Sequence, residues 1–171
     1  MQNLLYDGYD VVFQEVPDEV ALTFNITGCP HRCPGCHSEY LWEYHGDKLT
    51  DDIDRLLDKY DGLITAVCLM GGDYNLQQLC EVFEHVHKRG LKTCLYTGAD
   101  SIDELCGCNV IMTRRLMQSL DYLKLGHYDK ELGGLSSFIT NQVMWRKRDG
   151  RNSIQWDDIT YKFWHSAHTF D

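Results

Sequence analysis

The chain has 171 residues, 43% of them hydrophobic and 25% charged, which suits one soluble globular domain with a full core. Sixteen basic residues against 26 acidic ones give a formal charge of −10, which argues against a nucleic-acid partner gripped through its phosphates. No apolar run approaches the roughly 20 residues that span a bilayer. The start, Met1-Gln2-Asn3-Leu4-Leu5-Tyr6-Asp7, has neither the basic nor the long apolar region of a secretory leader, so a cytoplasmic protein without a membrane partner is expected.

In chain order, Ala21-Leu22-Thr23-Phe24-Asn25-Ile26 alternates apolar and polar residues and predicts a half-buried strand. A loop rich in glycine, proline and cysteine follows, from Gly28 to His37. Thr50-Asp51-Asp52 reads as a helix start, with Ile53, Leu56, Leu57 and Tyr60 on one face. Residues 63–70 (LITAVCLM) have a buried-strand pattern that ends at Gly71-Gly72-Asp73. The clearest helix runs from Asn75 to Arg89, with Leu76, Leu79, Cys80, Phe83 and Val86 at helical spacing and Gly90 as its stop. A strand from Leu91 to Tyr96 closes at Thr97-Gly98. Next come a short helix from Ser101 to Leu105, a strand around Asn109 to Met112, and a strand from Tyr122 to Leu125.

This alternation predicts an α/β fold, a mostly parallel sheet with outer helices. Ligands of such sheets gather at the carboxyl ends of strands, where the cysteine loop, Gly71-Gly72-Asp73, Thr97-Gly98 and Gly126 all fall. With no repeat or linker, residues 1–171 are expected to form one domain, with a core at about 20–145 and an aromatic-rich extension over 146–171. The extension's Trp156, Tyr161, Phe163 and Trp164 suit either packing over the sheet's open side or docking of a partner. The interrupted basic stretch at 146–151 reads as a solvated turn.

Cys29, Cys33 and Cys36 form a C-x3-C-x2-C triplet. Three thiolates can hold three corners of a cubic 4Fe-4S cluster and leave the fourth iron open for chemistry. A structural zinc site asks for four protein ligands, usually as two spaced pairs. His31 or His37 could complete such a site, so spacing alone leaves zinc open. A disulfide framework fits poorly, because the triplet leaves an odd cysteine. Cys68, Cys80 and Cys94 fall at apolar strand or helix positions and read as core residues. Cys106 and Cys108 are too few to hold a cluster and read as structural. In Gly71-Gly72-Asp73 the glycines admit a ligand close to the backbone, and the carbonyls can accept from an ammonium group.

Taken in this order, the motifs are specific. The chain resembles the radical S-adenosylmethionine (SAM) family, marked by C-x3-C-x2-C after the first core strand and a Gly-Gly-Glu/Asp turn after the second. More narrowly, it is similar to the activating proteins of anaerobic ribonucleoside-triphosphate reductase. The similarity lies in residues 28–37 (GCPHRCPGCH), Met70-Gly71-Gly72-Asp73, Tyr96-Thr97-Gly98, Ile102-Asp103-Glu104-Leu105, residues 122–128 (YLKLGHY) and Thr140-Asn141-Gln142.

The resemblance implies a trimmed partial (β/α) barrel of radical SAM type. It implies Cys29, Cys33 and Cys36 as ligands of a 4Fe-4S cluster, with SAM as co-substrate chelating the open iron. The backbone at Gly71, Gly72 and Asp73 would receive the SAM amino group, and Lys124 its carboxylate. Thr97 would touch the carboxylate or ribose, and Asn141 and Gln142, closing the last core strand, the ribose or adenine edge. Many relatives place an aromatic residue just before the third cysteine. Gly35 stands there, which leaves His37 or Tyr40 to face the adenine.

The implied reaction takes one electron from a low-potential donor protein and cleaves SAM to methionine and a 5′-deoxyadenosyl radical. That radical removes a Cα hydrogen from a glycine of the reductase's large subunit. Two other classes stay open: a radical SAM enzyme acting on a small molecule, similar to carboxy-deazaguanine synthase, and a non-catalytic zinc-binding module.

Overall fold

A computed structural model describes residues 2–150 and 152–164. Among them eight strands form one sheet: β1 (Leu5–Val12), β2 (Ala21–Ile26), β3 (Asp47–Lys48), β4 (Ala66–Met70), β5 (Lys92–Tyr96), β6 (Tyr122–Leu125), β7 (Val143–Lys147) and β8 (Trp156–Asp158). Their spatial order is β3-β1-β2-β4-β5-β6-β7-β8. Strands β2, β4, β5 and β6 pair in parallel, and the outer pairings are antiparallel. The sheet is therefore mixed and not mostly parallel. Parallel neighbours need a long crossover, and only the central strands have helices to supply one.

Those helices are α1 (Leu49–Lys59), α2 (Leu76–Lys88), α3 (Ile102–Cys106) and α4 (Val110–Ser119). The parallel strands β2, β4, β5 and β6 follow one another across the sheet in one direction, while β3 lies at the edge beyond β1. The helices gather on one face, where Phe24, Leu69, Leu95 and Leu123 meet Leu56, Phe83, Val86 and Leu116 in the main core. Strand alternation sends the intervening residues to the other face. There Ala21, Ala66, Cys68, Cys94, Tyr122 and Met144 form a smaller cluster under Val16, Leu135 and Ile159.

Several sequence expectations change. The run from Asn109 to Met112 is the start of α4 and not a strand. The Asn109 side chain caps that helix by accepting from Met112 N at 3.0 Å. Val110 and Ile111 are 72% and 83% exposed. A short apolar run suits strand and helix alike, and here the cap decides. Residues 63–65 precede the strand instead of belonging to it, and Leu63 is exposed. Strand β1 was not expected, since Asp7, Gly8 and Asp10 interrupt its apolar alternation. Its register with β2 shifts between Tyr6 and Tyr9, across Gly8 at φ +87°.

Asn141 and Gln142 lead into the antiparallel β7 instead of closing a parallel strand. Beyond it, β8 pairs along the sheet edge, Ile159 is buried, and Thr160 Oγ1 accepts from Met144 N at 3.0 Å. The aromatic-rich extension thus packs against the sheet as far as residue 160, and its last residues, 165–171, lie outside the described ones. Among the described residues no helix is long and apolar enough to cross a membrane.

Candidate metal centre

Alternation lays one row of side chains across the carboxyl ends of the parallel strands, on the face away from the helices. Asn25 is in register with Met70, Met70 with Tyr96, and Tyr96 with Lys124. This row floors a cavity of about 220 Å³. The walls come from the loops that follow: Cys29, Cys33, Cys36 and Trp42 after β2, Gly71 and Asp73 after β4, Thr97 and Gly98 after β5, and Tyr128 and Gln142 after β6.

The cysteine loop is held by the segment beyond it. Gly28 N donates to Glu43 O at 3.2 Å and Cys29 N to Leu41 O at 3.0 Å. Cys36 N donates to Cys33 O at 3.1 Å, and Ser38 N to Cys36 Sγ at 3.3 Å. All three cysteines are free and half-buried. Burial pushes the Cys29 thiol pKa up, against the N–H groups of His31 and Arg32, which favour the thiolate.

Among the described residues no three of His, Cys, Asp and Glu converge on a point suited to one ion. A cubane asks for something else, three sulfurs set round a volume and each bound to its own iron. Three free, half-buried thiols on one cavity fit that group, and Cys29, Cys33 and Cys36 are the residues that would hold it.

One carboxylate ties three loops together. Asp73 accepts from His31 Nε2 at 2.6 Å and from the Thr97 hydroxyl, which in turn accepts from Ala99 N at 2.9 Å. The bond to Asp73 raises the His31 pKa, with burial opposing it. Gly98 makes room for the imidazole, since a Cβ there would lie 2.6 Å from His31 Cγ. Gly98→Ala is expected to push His31 off Asp73 and to cost about 2 kcal/mol of stability. His31→Ala should cost less in that background than alone. A double-mutant cycle by urea unfolding reads the coupling, and additive losses would refute the contact.

Lys124 is 8% exposed, and its Nζ donates to Gly126 O at 2.6 Å and Thr97 O at 3.3 Å. Burial lowers its pKa to about 8, while Cys33, Asp73, Asp100 and Cys29 act to raise it. A cation bonded to two neutral carbonyls in a cavity is prepared to receive an anion.

Of the residues singled out in the sequence, Gly71, Asp73, Thr97, Lys124 and Gln142 meet the three cysteines at this cavity. Gly72 does not line it. Its carbonyl accepts from Asn75 N at 2.9 Å, and a Cβ would press on Leu79 and Leu4 at 3.0 and 3.1 Å. Both glycines of the turn have φ near +100°, where a side chain is strained. The Thr97 hydroxyl is committed to Asp73. His37 and the exposed Tyr40 lie outside the lining, with His37 Nε2 3.2 Å from the Tyr128 hydroxyl.

Asn141 and Gln142 part company because neighbours on an extended chain face opposite ways. Gln142 sides with Met144 at the cavity. Asn141 sides with Val143 and Trp145, and lines a neighbouring apolar groove of about 420 Å³. His31, Trp42 and Tyr128 carry no local signal for their places here. Tyr128 arrives because the β6–β7 loop folds back over the cysteines, with the Lys130 stem 3.5 Å from where a Gly35 Cβ would be.

No curated protein and no solved structure matches the chain. A family model does match, that of the 4Fe-4S single cluster domain, over residues 19–143. The match begins two residues before β2 and ends at the first residue of β7, so it takes in the cysteine triplet and every parallel strand. On that extent the chain belongs to the 4Fe-4S single cluster domain family.

Proposed function

We propose that the chain is a radical SAM enzyme, the activating protein of an anaerobic ribonucleoside-triphosphate reductase. The observation that carries this reading is the meeting of the three cysteines with Gly71, Asp73, Lys124 and Gln142 on one cavity at the strand ends. The sheet, wound one way through β2, β4, β5 and β6 with its helices on one face, is read as a trimmed partial (β/α) barrel. Its open side carries the cavity.

The bound 4Fe-4S cluster would supply one electron to the SAM sulfonium, giving methionine and a 5′-deoxyadenosyl radical. Cys29, Cys33 and Cys36 hold the cluster. The backbone at Gly71 and Asp73 accepts from the SAM ammonium. Lys124 exchanges bonds to two carbonyls for a charge-assisted bond to the SAM carboxylate. Gln142 offers its amide to the ribose or adenine edge, and Tyr128 provides the aromatic wall that Gly35 cannot. Thr97 and His31 act through Asp73 and hold the turn in place. The half-buried floor of Met70 and Tyr96 limits the access of water to the radical.

The target is a glycine Cα–H of the reductase's large subunit, in the cytoplasm, with the electron supplied by a low-potential donor protein. Anaerobic cluster reconstitution followed by dithionite and SAM tests the chemistry. Equal amounts of methionine and 5′-deoxyadenosine are expected, and failure to cleave SAM sinks the reading. With the large subunit added, a glycyl doublet is expected by electron paramagnetic resonance (EPR). Consumption of a small substrate without that doublet would replace the protein target by a small molecule.

A further inference from the structure

Strand β2 reaches the cysteine cavity at Asn25, on the sheet face away from the helices and in register with Met70. Asparagine is a poor strand former, and the residues before it on that face, Ala21 and Thr23, are buried. Asn25 itself is half-buried, lines the cavity and makes no side-chain hydrogen bond among the described residues. Its polar neighbours along the strand ends are committed. His31 and Thr97 are bound to Asp73, Lys124 donates to two carbonyls, and the Gln142 amide donates to Gly126 O and His127 O. A primary amide with both its donor and its acceptor free is the complement of a peptide group.

The adjoining strand makes room beside that amide. Tyr6 pairs with Ile26 and Tyr9 with Phe24, so Asp7 and Gly8 together stand opposite the single Asn25. This is a β-bulge, a device that re-aims side chains next to active sites. A Cβ on Gly8 would lie 3.7 Å from Asn25 Nδ2, so the side chain that β1 would bring against the amide is the one that glycine lacks. Gly8 and Asp10 are exposed, and beyond β1 the sheet has only the two residues of β3. The cavity is therefore open on this side, over a glycine. The proposed SAM anchors follow β4, β5 and β6. Lys124 stands at the far end of the row from Asn25, three strands or about 14 Å away at 4.8 Å per strand. The end of β2 is left for the second reactant.

We propose that Asn25 binds the backbone of the segment that carries the target glycine, its amide pairing with the N–H and C=O of that segment, and that Gly8 gives the segment passage across β1. The inference rests on the reading of a protein glycine as the target. A glycine has no side chain to grip, so contacts to its flanking peptide groups are what can hold its Cα–H in line with the radical.

Asn25→Leu keeps the approximate size of the side chain and removes both donor and acceptor. In glycyl-radical formation the KM for the large subunit is expected to rise about tenfold, the loss of a hydrogen-bonded amide, while SAM affinity holds. Peptides of the glycine segment, with an ester in place of each backbone amide in turn, test the contact directly as competitors. At one position the ester should weaken inhibition of the wild type about tenfold and that of the variant far less. An unchanged KM, a parallel loss of SAM affinity, or additive losses at every ester position overturns the proposal. If the leucine variant does not retain its cluster, Asn25→Thr, a better strand former without the amide, takes its place in the cycle. A wild-type protein that cleaves SAM but raises no glycyl doublet sinks the target reading and this inference with it. A wild-type doublet with an unaffected variant sinks this inference alone.

Discussion

Cys33→Ala is expected to abolish the 4Fe-4S absorption and EPR signal while leaving the fold in place. Cys33 is half-buried in a loop and belongs to neither hydrophobic cluster, so its removal opens no core cavity. The two thiols that remain are too few to hold a cubane, and SAM cleavage should drop to background. Cys94→Ala is the informative contrast. Cys94 is fully buried beside Cys68 on the next strand, and burial raises its thiol well above the ordinary range. A thiol held neutral by apolar surroundings is a packing residue and a poor ligand. Its truncation should cost about 1–2 kcal/mol and leave the cluster signal whole. Iron and sulfide content, the visible spectrum and urea unfolding of the two variants separate the roles. A Cys33→Ala protein with a full cluster, or a Cys94→Ala protein without one, would refute the ligand assignment.

The cysteine spacing, the Gly71-Gly72-Asp73 turn and Lys124 were legible in the sequence because each is a local feature. The triplet is a spacing, the turn sits where an apolar run stops, and Lys124 stood out through the resemblance carried by residues 122–128. What stayed hidden depends on chain segments that meet only after folding. His31 looked like a spare metal ligand until Asp73, brought in by the next parallel strand, claimed its imidazole. Trp42 gained its place because Leu41 and Glu43 pair back to Cys29 and Gly28. Strand β1 exists because β2 offers an edge, in spite of its acidic residues. At α4 the apolar residues pointed the wrong way, since Val110 and Ile111 face solvent and the Asn109 cap sets the structure.

Lys124→Met is expected to weaken SAM binding about a hundredfold, the loss typical of removing one partner of a desolvated charge pair. It is also expected to remove a stability slope at alkaline pH. In the folded chain the amine has a pKa of about 8 against an ordinary 10.5. Between these values the unfolded chain holds a proton that the folded chain has released. Stability from this residue therefore rises with pH through that window, by up to about 1.4 kcal/mol per unit. Below pH 8 the charged amine is carried into the cavity, and its desolvation opposes folding in full. Methionine has no proton to exchange, so the wild-type-minus-variant difference in unfolding free energy should rise from pH 8 to 10.5 and be flat below. Cysteines and tyrosines titrating in the same range are common to both proteins and cancel. A flat difference throughout would mean that the amine is solvated. SAM binding to the cluster-loaded protein should show the complementary trend. The bound carboxylate favours the charged amine, so wild-type affinity falls above pH 8, by up to about tenfold per unit, while the variant's does not. A lysine that merely braced the β6 turn would show the stability slope without the ligand slope, and the pair of measurements tells the two roles apart.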